Sequence, residues 1–244
     1  MTEIDSSVPQ WRPVARVRAH EMVIGAIEDQ IMAGTLKVGD PLPPERELAA
    51  RLEVSRAGVR EAIRVLEAQG VVTANVGAGR DAGTFIAAMP SAALTRFLRL
   101  HVALSNFPMA DIVDARVMLE RNSATLAAAH ASEAALAAIR APLTAMDDPD
   151  AECEPFNDAD TDFHVAIAEA SGNRLVADMT VAIRASLRRP ILAAMQQVTD
   201  WHAQACRLQG EHHDIYEAIA TRDGSTAAEL SERHIRGAFA AMPY

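Results

Sequence analysis

The chain has 244 residues, half of them hydrophobic but only 4% aromatic, so its core has to be built largely from Ala, Leu, Val and Ile, a composition that leans helical. Its formal net charge is −10. Two cysteines without a C-x-x-C pair, no basic-then-apolar leader in MTEIDSSVPQW and no apolar run near the roughly 20 residues that cross a bilayer argue against a disulfide framework, a signal peptide and a membrane span; the expectation is a soluble, cytoplasmic protein with no membrane partner.

Apolar residues recur at helical spacing from Val17 through Ile24, Ile27 and Ile31, and Gly34 ends that helix. KVGDPLPP reads as a turn-rich connector and ERELAARL as a short helix. Ser55 is placed to N-cap the next helix, whose Val59, Ala62, Ile63 and Leu66 form a buried face and whose end is marked by Gly70. VVTANV and GTFIA read as two short strands joined by GAGRDA. Near Met89-Pro90-Ser91 the pattern changes. Helices are expected near 92–104, 108–130, 133–145, 156–171, 174–198, 201–221 and 226–240, with Ser132 and Ser225 as N-caps and MDDPDAECEP as an acidic connector. The fold class is therefore mainly α: a winged helix-turn-helix over residues 12–88, a linker at 89–92, and an all-helical bundle of about seven helices over 93–244.

Charge follows this division. Residues 11–90 hold ten basic and ten acidic residues, whereas residues 91–244 hold thirteen and twenty-one. A neutral first part on an acidic remainder suggests two parts with different partners. In VSRAGVREAI, Arg56 and Arg60 lie one turn apart and away from the Val59/Ile63/Leu66 face, so both project outward. A helix that enters the major groove reads bases from its first turns, where Arg pairs bidentately with guanine. Ser55 and the first-turn N–H groups suit a phosphate, Arg46 is within reach of the DNA backbone, and Gly58 permits close approach. Gly77, Gly79 and Arg80 would tip the wing. Arg64, flanked by Glu61 and Glu67, reads instead as part of a solvated face.

GTLKVGDPLPPERELAARLEVSRAGVREAIRVLEAQGVV resembles the winged helix-turn-helix of GntR-type bacterial transcription regulators, with the L-P-x-E-R-E-L-A…V-S-R…V-R-E-A-I series in register. The resemblance implies operator double-stranded DNA as partner, with Arg46, Ser55, Arg56 and Arg60 at DNA-contacting positions and Gly79 at the wing glycine. Pro44 stands where a Ser is frequent, and Gly58 where a larger residue is.

A second set of residues lies in the helical part. Asp160 and His164 are i, i+4 on a face shared with Ile167 and Ala168. His212 lies with Leu208, Ile215 and Ile219, and His234 with Ala227, Leu230 and Ala238. Burying these groups without partners is costly. Mutual ligation of a divalent metal satisfies all four, and separate buried hydrogen bonds would satisfy them one by one. ERNSATLAA, DFHVAIAEASGN, EHHDIYEAIATRD and AAELSERHI resemble the all-helical FCD effector domain of FadR-like GntR regulators. That resemblance implies Asp160, His164, His212 and His234 as ligands of a divalent ion, Zn or Ni, together with a small organic or sugar acid as effector, a homodimer, and repression as the commoner mode. Arg116, between Ile112 and Leu119, is a second anchor for a carboxylate or the partner of Glu120 in an i, i+4 salt bridge. Two competing readings are a helical metal-dependent hydrolase built on His213-Asp214 and a dimerisation module without effector. His213 lies one residue off the apolar face, which argues against the hydrolase.

Overall fold

The computed structural model of the protein describes residues 18–75, 83–88, 91–148 and 152–242. The chain divides into two compact units, Met1–Met89 and Pro90–Tyr244.

In the first unit, α1 (Ala19–Met32), α2 (Glu45–Arg51) and α3 (Arg56–Ala68) precede a hairpin of β1 (Val72–Asn75) and β2 (Gly83–Ile86). The periodic residues do what their spacing dictates: Val23 and Ile27 of α1 meet Leu48 and Ala49 of α2 and Val59, Ala62, Ile63 and Leu66 of α3 in one core, closed by Val72 and Ile86. Ser55 Oγ accepts the Gly58 N–H at 3.1 Å, the expected N-cap. Gly70, at φ +75°, ends α3 in the left-handed region that glycine adopts without a Cβ penalty. The strands pair antiparallel, Val72 opposite Ile86 and Asn75 opposite Gly83. The wing tip, with Gly77, Gly79 and Arg80, lies outside the described residues.

Two expectations for this unit need correction. KVGDPLPP is more than a connector, because its end pairs with β2. The Leu42 N–H donates to the Thr84 carbonyl at 2.7 Å, the Ile86 N–H donates to the Asp40 carbonyl at 2.9 Å, and Pro41 bridges Phe85. A proline segment can flank a sheet edge in this way because Leu42, not the prolines, supplies the donor. Gly58 does not open α3 to DNA: a Cβ there would lie 2.9 Å from Ala19 Cβ, so the missing side chain is required where α3 crosses the start of α1.

The second unit has seven helices among the described residues: α4 (Ser91–Ala103), α5 (Met109–His130), α6 (Glu133–Met146), α7 (Cys153–Ala170), α8 (Arg174–Met195), α9 (Trp201–Ala220) and α10 (Gly224–Ala241). Its core is aliphatic with two central phenylalanines, Phe156 and Phe163. Ser132 caps α6, accepting the Ala135 N–H at 3.2 Å. α10 is capped by Asp223 rather than Ser225: the Asp223 carboxylate accepts the Thr226 N–H at 3.0 Å, and Ser225 falls inside the first turn. α7 begins at Cys153, so the acidic stretch is partly helical, with Glu154 in the first turn where the helix dipole favours a negative charge. α8 runs on through Pro190. Among the described residues, no helix is long and apolar enough to cross a membrane.

Candidate nucleic-acid interface and buried metal centre

α2 and α3 form the helix-turn-helix. Arg46, Arg56 and Arg60 are all exposed, as the outward phase of their helices dictates. Arg56 stands in the first turn of α3, with no hydrogen bond or ion pair among the described residues. Arg60 is engaged: its Nε and Nη2 donate to the two oxygens of Glu45, the first residue of α2, at 3.3 and 2.9 Å. That pair holds the Glu45 carboxyl below its usual range, partly against desolvation, and lifts Arg60 further. Sequence reasoning placed Arg60 outward and missed Glu45, fifteen residues earlier, because no helical periodicity links two different helices. Arg64 lies 3.7 Å from Glu61, on the solvated face expected for it.

In the second unit, α7, α9 and α10 bring Asp160, His164, His212 and His234 together. All four are buried, and one ligand atom from each lies within 4.8 Å of every other. The three Nε2 atoms converge on one carboxylate oxygen: Asp160 Oδ1 is 3.0 Å from His212, 3.6 Å from His164 and 4.0 Å from His234. Two Nδ1 atoms face carboxylates behind them, His164 toward Glu120 at 2.7 Å and His234 toward Glu211 at 2.8 Å. A carboxylate behind the far ring nitrogen is how metal-ligating histidines are commonly oriented.

The other Asp160 oxygen, Oδ2, is taken by Arg184 of α8, which also donates to the Asp160 carbonyl at 3.0 Å. Arg184 is 1% exposed. Sequence reading passed over it, although the signal was of the same kind as for the histidines: a charge in phase with the apolar Ala177, Leu187 and Ile191. Arg116 donates through Nε to Glu120 at 2.9 Å, both side chains buried. The i, i+4 salt bridge is thus formed, and it stands directly behind His164.

Burial, reinforced by His234, pushes the His212 imidazole down to about 3, against the pull of Asp160; burial likewise lowers His234. For Asp160, burial alone would raise the pKa, but Arg184, His164 and His212 outweigh it and hold the carboxyl well below the usual range. Arg116, His164 and Arg184 do the same for Glu120. At His212 and His234, a neutral imidazole beside the ionised Asp160 carboxylate is the protonation state that a metal requires. Yet His164 Nε2 and both nitrogens of His212 have no hydrogen-bond partner among the described residues, the 3.0 Å approach of His212 to Asp160 lacking the geometry of one. Ser123 Oγ, one turn from Glu120, and Thr180 Oγ1, one turn from Arg184, are also buried without partners. Native interiors rarely leave so many buried polar atoms unsatisfied. The donor set fits a divalent cation.

His213 is elsewhere: it is exposed, its Nε2 2.8 Å from Asp147 Oδ1. It joins no buried cluster, as its phase predicted.

A winged helix-turn-helix followed by a helical unit with a buried Asp/His cluster defines a two-domain, DNA-binding transcription regulator. Residues 19–81 match the model of bacterial regulatory proteins, gntR family, and residues 111–237 match the FCD domain. The chain belongs to the GntR family and carries an FCD domain; the family consists of transcription regulators, not enzymes. It is 30% identical to the HTH-type transcriptional regulator LutR of Bacillus subtilis, over 84% of this chain and 92% of that protein. It is 28% identical to the Glc operon transcriptional activator of Escherichia coli K12, over 88% and 85%. It is also 28% identical to the HTH-type transcriptional repressor NanR of Edwardsiella tarda, over 94% and 87%. The fold is similar to that of a Streptococcus agalactiae GntR structure, with a TM-score of 0.58 and 22% identity over 89% of this chain and 98% of that one.

Proposed function

We propose that this regulator is ligand-responsive: its winged helix, residues 12–88, binds operator DNA, and its helical domain, residues 93–244 beyond a linker at 89–92, senses a small acid at a metal. Arg56 and Arg60 read bases, Arg46 and the Ser55 turn hold phosphates, and Gly79 tips the wing. Asp160, His164, His212 and His234 hold one divalent ion, Zn or Ni. The observation that carries the reading is the convergence of four buried ligand atoms within 4.8 Å of one another, several of them unsatisfied otherwise.

Charge supports an anionic effector. Around the imidazoles, three carboxylates face three guanidinium groups: Asp160 with Arg184, Glu120 with Arg116, and Glu211 with Arg207. With the three imidazoles deprotonated, as metal ligation requires, the cluster would balance, so a divalent ion would add two buried positive charges, and uncompensated buried charge is costly. A carboxylate on the ion compensates it. Arg116, behind His164, and the unpaired hydroxyls of Ser123 and Thr180 supply further polar groups for a small organic or sugar acid. An ion held by Asp160, His164, His212 and His234 would supply Lewis acidity toward a carboxylate; the chain's own residues exclude water and fix the ligand rings. The regulator acts as a homodimer on a two-fold operator, each subunit placing one α3 in the major groove. Repression is the mode we adopt; relatives carry both modes in their names, NanR as repressor and the Glc operon protein as activator.

The test is one series on purified full-length protein. Elemental analysis is expected to find about one divalent ion per chain, and chelation to lower the melting temperature. A panel of small acids is expected to contain one that raises it only in metal-loaded protein and that changes operator affinity by roughly 5- to 150-fold. Protein prepared without chelators and found free of metal would overturn the metal reading. A metal-loaded protein whose DNA affinity no acid alters would overturn the effector reading.

A further inference from the structure

The Glu45–Arg60 pair joins the first residue of α2 to the exposed face of α3. Both side chains are substantially exposed, 33% and 53%, so the pair contributes little to stability. Its geometry matters more. Glu45 grips the side edge of the guanidinium, Nε and Nη2. Arginine has five N–H donors; these two contacts leave three, two on Nη1 and one on Nη2. One on each Nη points along the end edge of the group, and that edge is itself a fork suited to the O6 and N7 acceptors of guanine; the second Nη1 hydrogen points back toward the Cδ side. A carboxylate on the side edge therefore locks the plane of Arg60 without blocking the edge that reads a base.

The same contact cancels Arg60's charge. An unpaired arginine on a reading helix can meet phosphates as well as base edges, and the phosphate contacts supply sequence-independent binding. Arg56, one turn earlier, has no ion pair among the described residues. The two arginines thus face DNA in different states: Arg56 feels the Glu45 carboxylate only through its charge, without a hydrogen bond, and Arg60 is a held fork with that carboxylate beside it. A fixed carboxylate near the DNA backbone also disfavours every arrangement in which Arg60 does not meet a base donor–acceptor pattern that compensates it, which is discrimination by repulsion.

We propose that Glu45 is a specificity-determining positioning residue: by holding the side edge of Arg60 it converts that arginine from a phosphate-seeking cation into an oriented reader of one guanine. The proposal rests on the reading that Arg60 contacts a base, and the experiment separates the two. The probes are a duplex enriched from a random library by the wild-type chain, the same duplex with each G·C pair inverted in turn, and a random-sequence duplex of equal length. Glu45→Gln is expected to strengthen binding to the random duplex and to steepen its salt dependence by about one phosphate contact. At one G·C pair it is expected to lower discrimination at least roughly fivefold. In an Arg60→Lys background, where no fork exists, Glu45→Gln is expected to cause no further loss at that pair. The melting temperature, expected to be unchanged, guards against a folding defect. Uniformly stronger binding with discrimination intact at every pair would overturn the proposal, as would an undiminished loss in the Arg60→Lys background. If Arg60→Ala abolishes discrimination at one pair and Glu45→Gln does not, only the role of Glu45 falls. If Arg60→Ala leaves every pair discriminated, the base-reading role of Arg60 falls and takes the proposal with it.

Discussion

Arg56 and Arg60 on α3 stand in water, whereas Arg184 on α8 and Arg116 on α5 are buried against the carboxylates of Asp160 and Glu120. The exposed pair contributes little to the fold: Arg56 has no ion pair among the described residues, and the Glu45 carboxylate that Arg60 would leave behind is within reach of water. The buried pair is tied to its partners, because deleting either arginine strands a carboxylate in the interior. Function at these exposed arginines can therefore be altered with little effect on stability, and at the buried ones it cannot. The distinction governs how variants at the two pairs should be interpreted: a lost effector response is ambiguous until folding is measured, whereas a lost contact at an exposed arginine is expected to leave melting unchanged.

The comparison is sharpest at Arg184. In chelator-treated protein, Arg184→Ala leaves Asp160 buried without its cation, which costs about 3–5 kcal/mol. At roughly 2–4 °C per kcal/mol for a unit of this size, the melting temperature of the helical domain is expected to fall by more than roughly 6 °C. A shift under roughly 2 °C would mean that Asp160 is solvated or paired elsewhere. Acid should act on the same cluster. The His212 pKa is about 3 in the folded chain against 6.5 ordinarily, so the unfolded state binds more protons between those values. Stability is thus full above the unfolded pKa and lost as pH falls through the window. Between pH 6.5 and 5 the loss is on the order of 2 kcal/mol in chelator-treated protein. Asp160 and Glu120, depressed below their ordinary values, continue the decline in the same direction at lower pH. A melting temperature that stays flat from pH 7 to 5 would contradict the buried, neutral state of His212. Arg56→Ala tests the other side. It is expected to cost about 1–3 kcal/mol in binding to a selected operator and far less on random DNA, with no change in melting. Equal losses on both duplexes would reduce Arg56 to a phosphate contact.

Much of this architecture was legible because it is periodic. The aliphatic stripe of α3, the seven helices of the second unit and the inward phase of Asp160, His164, His212 and His234 all repeat at helical spacing, and burial follows phase. What sequence alone left out is what depends on contacts between elements. Asp40–Leu42 pairs with β2 through backbone groups that carry no side-chain pattern. Glu45 meets Arg60 across a turn, and the cap of α10 moved from Ser225 to Asp223 because either residue can satisfy a first turn and only the chain's path chooses. Arg184 was the recoverable omission. A charge in phase with apolar neighbours is as informative on α8 as a histidine is on α9.

The contact between Gly58 and Ala19 bears on attempts to retarget the regulator. A programme that randomised α3 to recognise new operators would naturally include position 58, which lies between the two arginines. Any side chain there drives a Cβ to within 2.9 Å of the Ala19 methyl, which sits directly on the α1 backbone, so the two helices would have to move apart. Variation at 58 would therefore return destabilised proteins instead of new specificities. The designable alphabet of the reading helix then centres on positions 56 and 60, with position 45 on the neighbouring helix as its third letter.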